Sequence, residues 1–140
     1  MTIKRITKIN PGLVRDIKNL IAQMSPDRSV APRQLKAMVK EKNTFLFGVF
    51  DGKRVVGTGT LILIKQVVGT RATIEDVVVD AEYRGKGLGE TLMKELLKTA
   101  KKHGAEKIIL TSRKERVAAH ALYKKLGFTI KDTTVFQLEL

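Results

Sequence analysis

A glycine-rich segment, Arg84–Gly89, lies between a largely apolar run and a stretch of helical periodicity that ends at Lys102. The apolar run, Ile74–Val79, is typical of a strand. Glycine permits positive φ and lets a ligand approach the backbone closely. The free N–H groups at a helix N-terminus and the positive end of the helix dipole bind anions. The segment therefore predicts a strand, a phosphate-binding turn and a helix in succession.

Two common phosphate motifs do not fit this segment. A Walker loop requires Gly-Lys-Ser/Thr, but Gly85-Lys86 is followed by Gly87, so the hydroxyl that binds Mg²⁺ is missing. A dinucleotide fingerprint requires Gly-x-Gly-x-x-Gly and an acidic residue about 20 residues further on. The glycines here alternate instead, and the next apolar run, Lys107–Leu110, ends without an acid.

The length and composition predict one globular domain over residues 1–140, because 43% of the residues are hydrophobic and 29% are charged. The longest aliphatic run, Leu61–Ile64, is too short to span a membrane. The N-terminus lacks the apolar core of a signal peptide, so we expect a cytoplasmic protein without membrane contact. The absence of cysteine excludes disulfides, thiolate metal sites and a cysteine nucleophile.

The chain is strongly basic, with 27 Lys and Arg against 14 Asp and Glu and a net charge of +13. Such a charge steers polyanionic ligands to the protein, although a solvated lysine-rich surface is the alternative interpretation. Aromatic residues make up 5% of the chain and tryptophan is absent. Proteins that bind single-stranded nucleic acid stack bases on aromatic side chains. The composition therefore argues against a nucleic-acid partner.

Hydrophobic periodicity predicts a mixed α/β fold in which helices flank a central sheet. The predicted strands are Thr2–Ile9, Phe45–Phe50, Val55–Ile64, Arg71–Val79, Lys107–Leu110, Phe128–Lys131 and Thr134–Leu140. The predicted helices are Pro11–Met24 with Asn10 as its N-cap, Pro32–Lys40, Gly87–Lys102 and Glu115–Lys125. A helical crossover makes the strand at Lys107 parallel to the strand that ends at Val79.

The order of elements, together with Ile74–Val79, Arg84–Gly89 and Ala121–Phe128, resembles the GNAT acetyltransferase superfamily. The stretch from Ile74 to Gly89 is also similar to glucosamine-6-phosphate N-acetyltransferases. The resemblance implies the acyl-CoA N-acyltransferase fold, a mixed sheet in which the parallel strands ending at Val79 and Leu110 splay apart. Ligands bind such sheets at the carboxyl ends of the strands.

The resemblance implies acetyl-CoA as a cosubstrate and no metal. Its pantetheine arm would run along the strand edge, its pyrophosphate would sit on the glycine turn, and the Val77 N–H would donate to the thioester oxygen. Arg116 stands where family members often carry Asn, seven residues before a tyrosine, and would reach a CoA phosphate. The implied cofactor contacts are Val77, Val78, Val79, Arg84, Gly85, Lys86, Gly87, Leu88, Gly89 and Arg116.

Tyr123 is the implied general acid, protonating the departing CoA thiolate; packing at the helix end is the alternative. Glu75 is the candidate general base, directly or through a water. Its neighbour Asp76 should point to the opposite face of the strand and act structurally. We expect His103 to sit at a helix C-terminus and His120 on a helix surface.

These residues predict an N-acetyltransferase whose primary amine substrate attacks acetyl-CoA directly in a ternary complex. The acceptor is a small metabolite or a protein terminus. The resemblance implies an acceptor pocket built from Met24–Pro32 and Lys131–Thr134, where Arg28 and Arg33 are either anion partners or exposed loop charges. The alternatives are an amino-sugar phosphate N-acetyltransferase and a non-catalytic module that binds CoA or nucleic acid through its basic surface. A homodimer through the last strands also stays open.

Overall fold

The computed structural model describes every residue from Met1 to Leu140. Packing divides the chain into two compact units, Met1–Leu110 and Thr111–Leu140. The single domain predicted for the whole chain stays a prediction. No helix has both the length and the hydrophobicity that crossing a bilayer requires.

The first unit is built on a five-stranded sheet whose spatial order follows the chain. Its strands are β1 (Thr2–Arg5), β2 (Thr44–Asp51), β3 (Arg54–Gln66), β4 (Gly69–Val79) and β5 (Lys107–Ile109). Strands β1 to β4 are antiparallel neighbours, and β5 runs parallel to β4. The mixed sheet and its parallel pair are confirmed. The first strand is shorter than predicted, because the Ile6 N–H makes the last bond to β2, at Leu46.

Three helices of the first unit begin and end close to their predicted bounds. They are α1 (Pro11–Met24), α2 (Pro32–Lys40) and α3 (Leu88–Lys102). Asn10 caps α1 by accepting the Leu13 N–H at 2.9 Å, and Pro11 occupies the first helical position. Gly87 is the N-cap of α3 rather than its first residue, because its φ of 76° is left-handed.

The sheet of this unit is packed on both faces. Val78 belongs to the apolar cluster that α1 and α2 form with the strands. The preceding residue, Val77, faces the other side, where α3 crosses β3 at Gly59. A methyl group on Gly59 would lie 3.1 Å from Leu96, so this glycine allows α3 to approach the sheet closely. Both sides of β4 are thus anchored by packing just before the glycine turn.

The second unit contains one helix, α4 (Val117–Lys125), after which Gly127 adopts a φ of 95°. The predicted strands Phe128–Lys131 and Thr134–Leu140 are wrong, since residues 128–140 form no helix or strand. Apart from the half-buried Phe128, their apolar side chains are exposed, and 92% of the Phe136 surface is accessible to solvent. An isolated two-stranded hairpin is marginally stable, so alternation in the sequence does not by itself create strands. Helix α4 begins at Val117 rather than Glu115, because the Val117 N–H closes a turn on the Glu115 carbonyl.

Candidate active site

Strand β4 carries a bulge in its second half. The register against β3 shifts between Thr58 and Thr60, so that Asp76 and Val77 together lie opposite Gly59. An extra residue in one strand bends it and redirects its backbone groups, and bulges are frequent beside active sites. The bulge therefore falls within the strand segment for which sequence predicts cofactor contacts.

Asp76 is the only non-glycine residue with a positive φ, at 53°. This left-handed conformation costs an ordinary residue about 1–2 kcal/mol, and Asp and Asn tolerate it best. The expected structural role of Asp76 agrees with this conformation. The bulge places Asp76 and Val77 opposite a single residue of β3, and the prediction that Glu75 and Asp76 point to opposite faces stays a prediction.

Glu75 has an altered acidity at this bulge. Partial burial raises the pKa of Glu75, and the negative charge of Asp76 raises it further, whereas a hydrogen bond with Thr73 lowers it. A carboxylate with a raised pKa is a stronger base near neutral pH. The raised pKa is compatible with the predicted role of Glu75 as a base, which stays a prediction.

The edge of β4 that faces β5 is only partly occupied. Strand β5 pairs with Arg71, Ala72 and Thr73, and the pairing ends there. Strand β4 continues to Val79 with no strand on this side. Unpaired backbone groups at a sheet edge can hydrogen-bond an extended ligand. The predicted contacts at Val77, Val78 and Val79 lie along this free edge.

The glycine turn after β4 has an open and left-handed backbone. Gly85 and Gly87 have φ of 77° and 76°, and no atom lies within 4 Å of a methyl group built on either residue. The first N–H groups of an α-helix have no carbonyl partner within the helix, and in α3 no side chain caps them either. This arrangement presents donors and the positive end of a helix dipole to open space.

The basic residues of the turn differ in their surroundings. The Arg84 Nε donates to the Val79 carbonyl at 3.0 Å and thereby ties the turn to the end of β4. The Lys86 Nζ lies 5.0 Å from the centre of the Tyr83 ring. Both side chains are exposed, so their positive charges are available to an anion at the turn. Leu88 and Gly89 begin helix α3 beside them.

In the second unit, Tyr123 packs against Phe128, three residues beyond the end of α4. Its ring centre lies 5.9 Å from that of Phe128, and its carbonyl accepts the Phe128 N–H. The alternative interpretation, packing at the helix end, is thus observed, and it is compatible with a chemical role for the hydroxyl. Burial raises the pKa of the Tyr123 phenol, and the positive charge of Arg116 lowers it.

Arg116 is the N-cap of α4 and lies two turns before Tyr123, hence on the same side of the helix. The structure places His120 between them with its Nε2 buried and unpaired. His120 is half-buried on α4, so the expected position on a helix surface describes only part of its side chain. Helical periodicity gave no reason to expect burial, because its neighbours Ala119 and Ala121 leave the buried face of α4 ambiguous. Ser112 Oγ is also buried and unpaired.

A family model for the acetyltransferase (GNAT) family matches residues 14–128. The chain belongs to this family. The GNAT chain is 33% identical over 105 residues to the uncharacterized N-acetyltransferase YobR of Bacillus subtilis (strain 168), which covers 75% of this chain and 40% of that protein. It is 41% identical over 78 residues to the glucosamine 6-phosphate N-acetyltransferase of Trypanosoma brucei brucei, covering 54% of this chain and 51% of that protein.

Solved GNAT structures share the fold along the whole chain. A putative acetyltransferase from Agrobacterium tumefaciens str. C58 superimposes with a TM-score of 0.85 at 24% identity and full coverage of both chains. The glucosamine-6-phosphate N-acetyltransferase of Arabidopsis thaliana gives a TM-score of 0.79 at 23% identity and 99% coverage of both. The predicted GNAT-type fold is confirmed. The chain spans about half or less of the length of the curated relatives described above.

The structure brings part of the predicted site of this GNAT chain together. Glu75, the edge at Val77–Val79 and the turn at Arg84–Gly89 follow one another at the carboxyl end of β4. Tyr123 and Arg116 lie on α4 of the other unit. His103 is the C-cap of α3, as expected, with its Nδ1 2.9 Å from the Thr99 carbonyl. No group of three His, Cys, Asp or Glu residues could hold a metal ion.

Proposed function

We propose that this GNAT chain is an acetyl-CoA-dependent N-acetyltransferase that acts on a primary amine by direct attack in a ternary complex. One observation carries the proposal. The free edge of β4, which contains the bulge, is followed after the short 3₁₀ turn Ala81–Tyr83 by the glycine turn and the N-terminus of α3. That sequence of backbone donors matches a long ligand with amides at one end and phosphates at the other.

The residues present fit such a cosubstrate. Peptide-like amides of a pantetheine arm complement the backbone at the β4 edge over Val77–Val79, where the Val79 carbonyl already accepts Arg84 Nε. A pyrophosphate fits the open space over Gly85 and Gly87, where side chains would need a strained backbone. Arg84 and Lys86 supply positive charge there. Arg116 would contact a CoA phosphate in place of the family's amide.

The bulge supports a role in polarising the thioester. A backbone N–H is a useful oxyanion donor only if it points out of the regular ladder, and bulges redirect such groups. The Val77 N–H, beside the left-handed Asp76, is the donor that we assign to the thioester oxygen. Because the donor is held by a packed strand, it needs little reorganisation during the reaction.

Glu75 is the base in this proposal. It removes a proton from the acceptor ammonium, directly or through a water, before the nitrogen forms its bond to the acetyl carbon. The raised pKa of Glu75 suits this role, because a very acidic carboxyl would be a poor proton acceptor. No cysteine is present to carry the acetyl group, which supports a single direct transfer.

Tyr123 is the acid. As the carbon–sulfur bond breaks, its hydroxyl gives a proton to the leaving sulfur. The phenol is protonated at neutral pH, because the ordinary pKa of tyrosine is 10.0 and burial raises the pKa of Tyr123 above it, so a proton is available for donation. Arg116 moderates that increase by favouring the phenolate.

The acceptor is proposed only as a primary amine, on a small molecule or a protein terminus. A matching relative from Escherichia coli (strain K12) is named a ribosomal protein bS18-alanine N-acetyltransferase, with 40% identity over 65 residues. The glucosamine 6-phosphate N-acetyltransferase of Trypanosoma brucei brucei, 41% identical over 78 residues, makes an amino-sugar phosphate the second candidate. That candidate predicts inhibition by inorganic phosphate.

Thermal unfolding at fixed moderate salt tests the cofactor. Acetyl-CoA, CoA, ATP and a short oligonucleotide are added in turn. A ligand at about 100 times its Kd stabilises the folded state by about 2.7 kcal/mol, a shift of roughly 2–8 °C for domains of this size range. We expect a shift with acetyl-CoA and CoA only. Equal shifts with every polyanion would indicate charge recognition alone, and no shift with millimolar acetyl-CoA would overturn the proposal.

Thiol release then tests the transfer itself. Acetyl-CoA is incubated with the protein and with amines in two groups, peptides with a free N-terminal alanine and glucosamine 6-phosphate. Free CoA that appears only with an amine supports catalysis, and the active group identifies the acceptor class. Cofactor binding without amine-dependent thiol release from a broad amine panel would instead support a non-catalytic CoA-binding module.

A further inference from the structure

Asp80 is a buried carboxylate at the end of β4, just before the glycine turn. Only 6% of the Asp80 surface is accessible to solvent. Its Oδ2 accepts hydrogen bonds from Arg54 Nη2 at 3.3 Å and from Gln23 Nε2 at 3.4 Å. Its Oδ1 accepts the Glu82 N–H at 3.0 Å. One carboxylate therefore joins the end of α1, the start of β3 and the short 3₁₀ turn Ala81–Tyr83.

Gln23 contacts the same turn through the oxygen of its side-chain amide as well. Its Oε1 accepts the Ala81 N–H at 2.9 Å. The Tyr83 N–H is held by the Asp80 carbonyl, and the Asp80 N–H by the Val56 carbonyl. The backbone donors from Asp80 to Tyr83 are thus all paired immediately before the glycine turn begins. The path of the chain into that turn is determined by these bonds.

The charge of Asp80 does not favour an anion at the turn. A carboxylate close to a phosphate site repels the ligand, and Arg54 only compensates this charge through an exposed side chain. Burial of a carboxylate is also costly unless its oxygens are well bonded. The carboxylate instead holds its partners in place, because a charged acceptor makes stronger hydrogen bonds than an amide does. We therefore assign Asp80 a positioning role.

We propose that Asp80, with Gln23 and Arg54, preorganises the glycine turn at Arg84–Gly89 for the phosphate end of the cosubstrate. The inference rests on the proposed function. A turn held in its binding conformation before the ligand arrives loses less entropy on binding. Disruption of the Asp80 contacts should therefore weaken cofactor affinity, while turnover at saturating cofactor should change little.

The first variant is Asp80→Asn. Asparagine keeps the size of the side chain but puts an NH₂ group where donors converge, so the contacts to Gln23, Arg54 and the Glu82 N–H cannot all be retained. We expect the Kd for CoA to rise about tenfold, which is near the lower end of the effect of losing a hydrogen bond to a charged group. We expect kcat to remain within about twofold, since such a loss affects binding uniformly.

Asp16→Asn is the matched control. Asp16 is equally buried, at 8%, and its Oδ2 accepts the Val55 N–H at 3.0 Å, but it has no hydrogen bond to the turn. Both variants should lose stability, and only Asp80→Asn should lose affinity for CoA. Gln23→Ala is a second test, because Gln23 is exposed and its removal frees the Ala81 N–H without emptying a buried position.

Two measurements on the full chain decide the outcome. Calorimetric titration with CoA gives the Kd, and hydrogen exchange without ligand reports the amides of residues 81–89. Faster exchange there in Asp80→Asn and Gln23→Ala, but not in Asp16→Asn, together with a higher Kd, supports the proposal. Unchanged exchange and an unchanged Kd in both would overturn it. If the unmodified chain does not bind CoA, the proposed function fails, and exchange alone decides whether Asp80 holds the turn.

Discussion

The two units of the chain differ in how their functional residues are supported. Every buried residue belongs to Met1–Leu110, where helices cover both faces of the sheet. In Thr111–Leu140 no residue is buried, and the single regular element is α4. The cofactor contacts that we propose in the first unit are mainly backbone groups, together with the Arg84 and Lys86 side chains. The residues that we propose in the second unit act through their side chains.

This difference suggests a division of labour. Backbone donors bind well only when a packed framework holds them, which the first unit provides at the bulge and the glycine turn. The side chains of Tyr123 and Arg116 are carried by a short helix and can be changed without affecting that framework. We therefore expect changes at the bulge and the glycine turn to alter cofactor affinity or stability, and a change at Tyr123 to alter turnover.

The largest expected effect is on turnover in Tyr123→Phe. The change removes the hydroxyl and keeps the ring that packs on Phe128. Loss of a general acid typically lowers kcat by about 10²-fold or more. The Kd for acetyl-CoA should not change. Steady-state thiol release and calorimetric titration measure the two quantities.

Tyr83→Phe is the control, because Tyr83 is the only other tyrosine and its hydroxyl bonds Asp51 at 2.7 Å. Turnover of this variant at saturating acetyl-CoA should equal that of the unmodified protein. Equal turnover in both variants would remove Tyr123 from the mechanism and the proposed division of labour with it.

The next effect is on affinity in Gly87→Ala. Alanine at a φ of 76° is strained by about 1–2 kcal/mol, and relief of that strain would move the N-terminus of α3. We expect the Kd for acetyl-CoA to rise roughly tenfold, equivalent to about 1.4 kcal/mol. Calorimetric titration at fixed salt measures it.

Gly104→Ala separates strain from binding. Gly104 has a φ of 79° and equally open surroundings, but it lies beyond the other end of α3. Gly104→Ala should lower the free energy of unfolding about as much as Gly87→Ala does, while the Kd for acetyl-CoA stays unchanged. A similar loss of affinity in both variants would mean that general destabilisation, and not the turn, controls binding.

A smaller effect is on stability in Asp76→Gly. Glycine adopts the left-handed bulge conformation without strain. The free energy of unfolding should therefore increase by about 1 kcal/mol in this variant, which corresponds to a rise in Tm of roughly 3–5 °C. Asp76→Asn is the control for charge, because asparagine also tolerates this conformation. If Asp76→Gly is no more stable than Asp76→Asn, the bulge stores no strain.

The smallest effect is the pH dependence of stability in Glu75→Gln. A raised pKa means that the folded chain holds the proton more tightly than the unfolded chain does. The charged form therefore costs stability above the folded pKa, and this cost disappears as the pH falls below the ordinary value of 4.5. Glu75→Gln should be more stable than the unmodified protein at neutral pH and lose that advantage in acid. Denaturant unfolding across this range measures the difference, and a pH-independent difference would contradict it.

Much of the fold could be predicted because its signals are local. Asn10 and Pro11 mark the start of α1, and alternating glycines mark a turn with positive φ. The parallel pair follows from the crossover through α3. The strands after Phe128 were predicted wrongly for the same reason, since alternation is local whereas a strand also requires a partner.

The central features of the site lie beyond such signals. Nothing in Ile74–Val79 distinguishes Asp76 as a left-handed residue, because its conformation results from register against β3. The partners of Asp80 are 57 and 26 residues away, at Gln23 and Arg54. The buried Nε2 of His120 likewise had no signal in the spacing of α4.

The helix starts, the glycine turn and the order of elements follow from the amino-acid sequence, because they depend on steric preferences within a few residues. The position of the bulge in β4, the extent of its pairing with β5 and the side chains that hold the turn depend on the tertiary structure. Those features depend on hydrogen bonds between distant segments, and the register that creates them is set by the packing of the whole sheet.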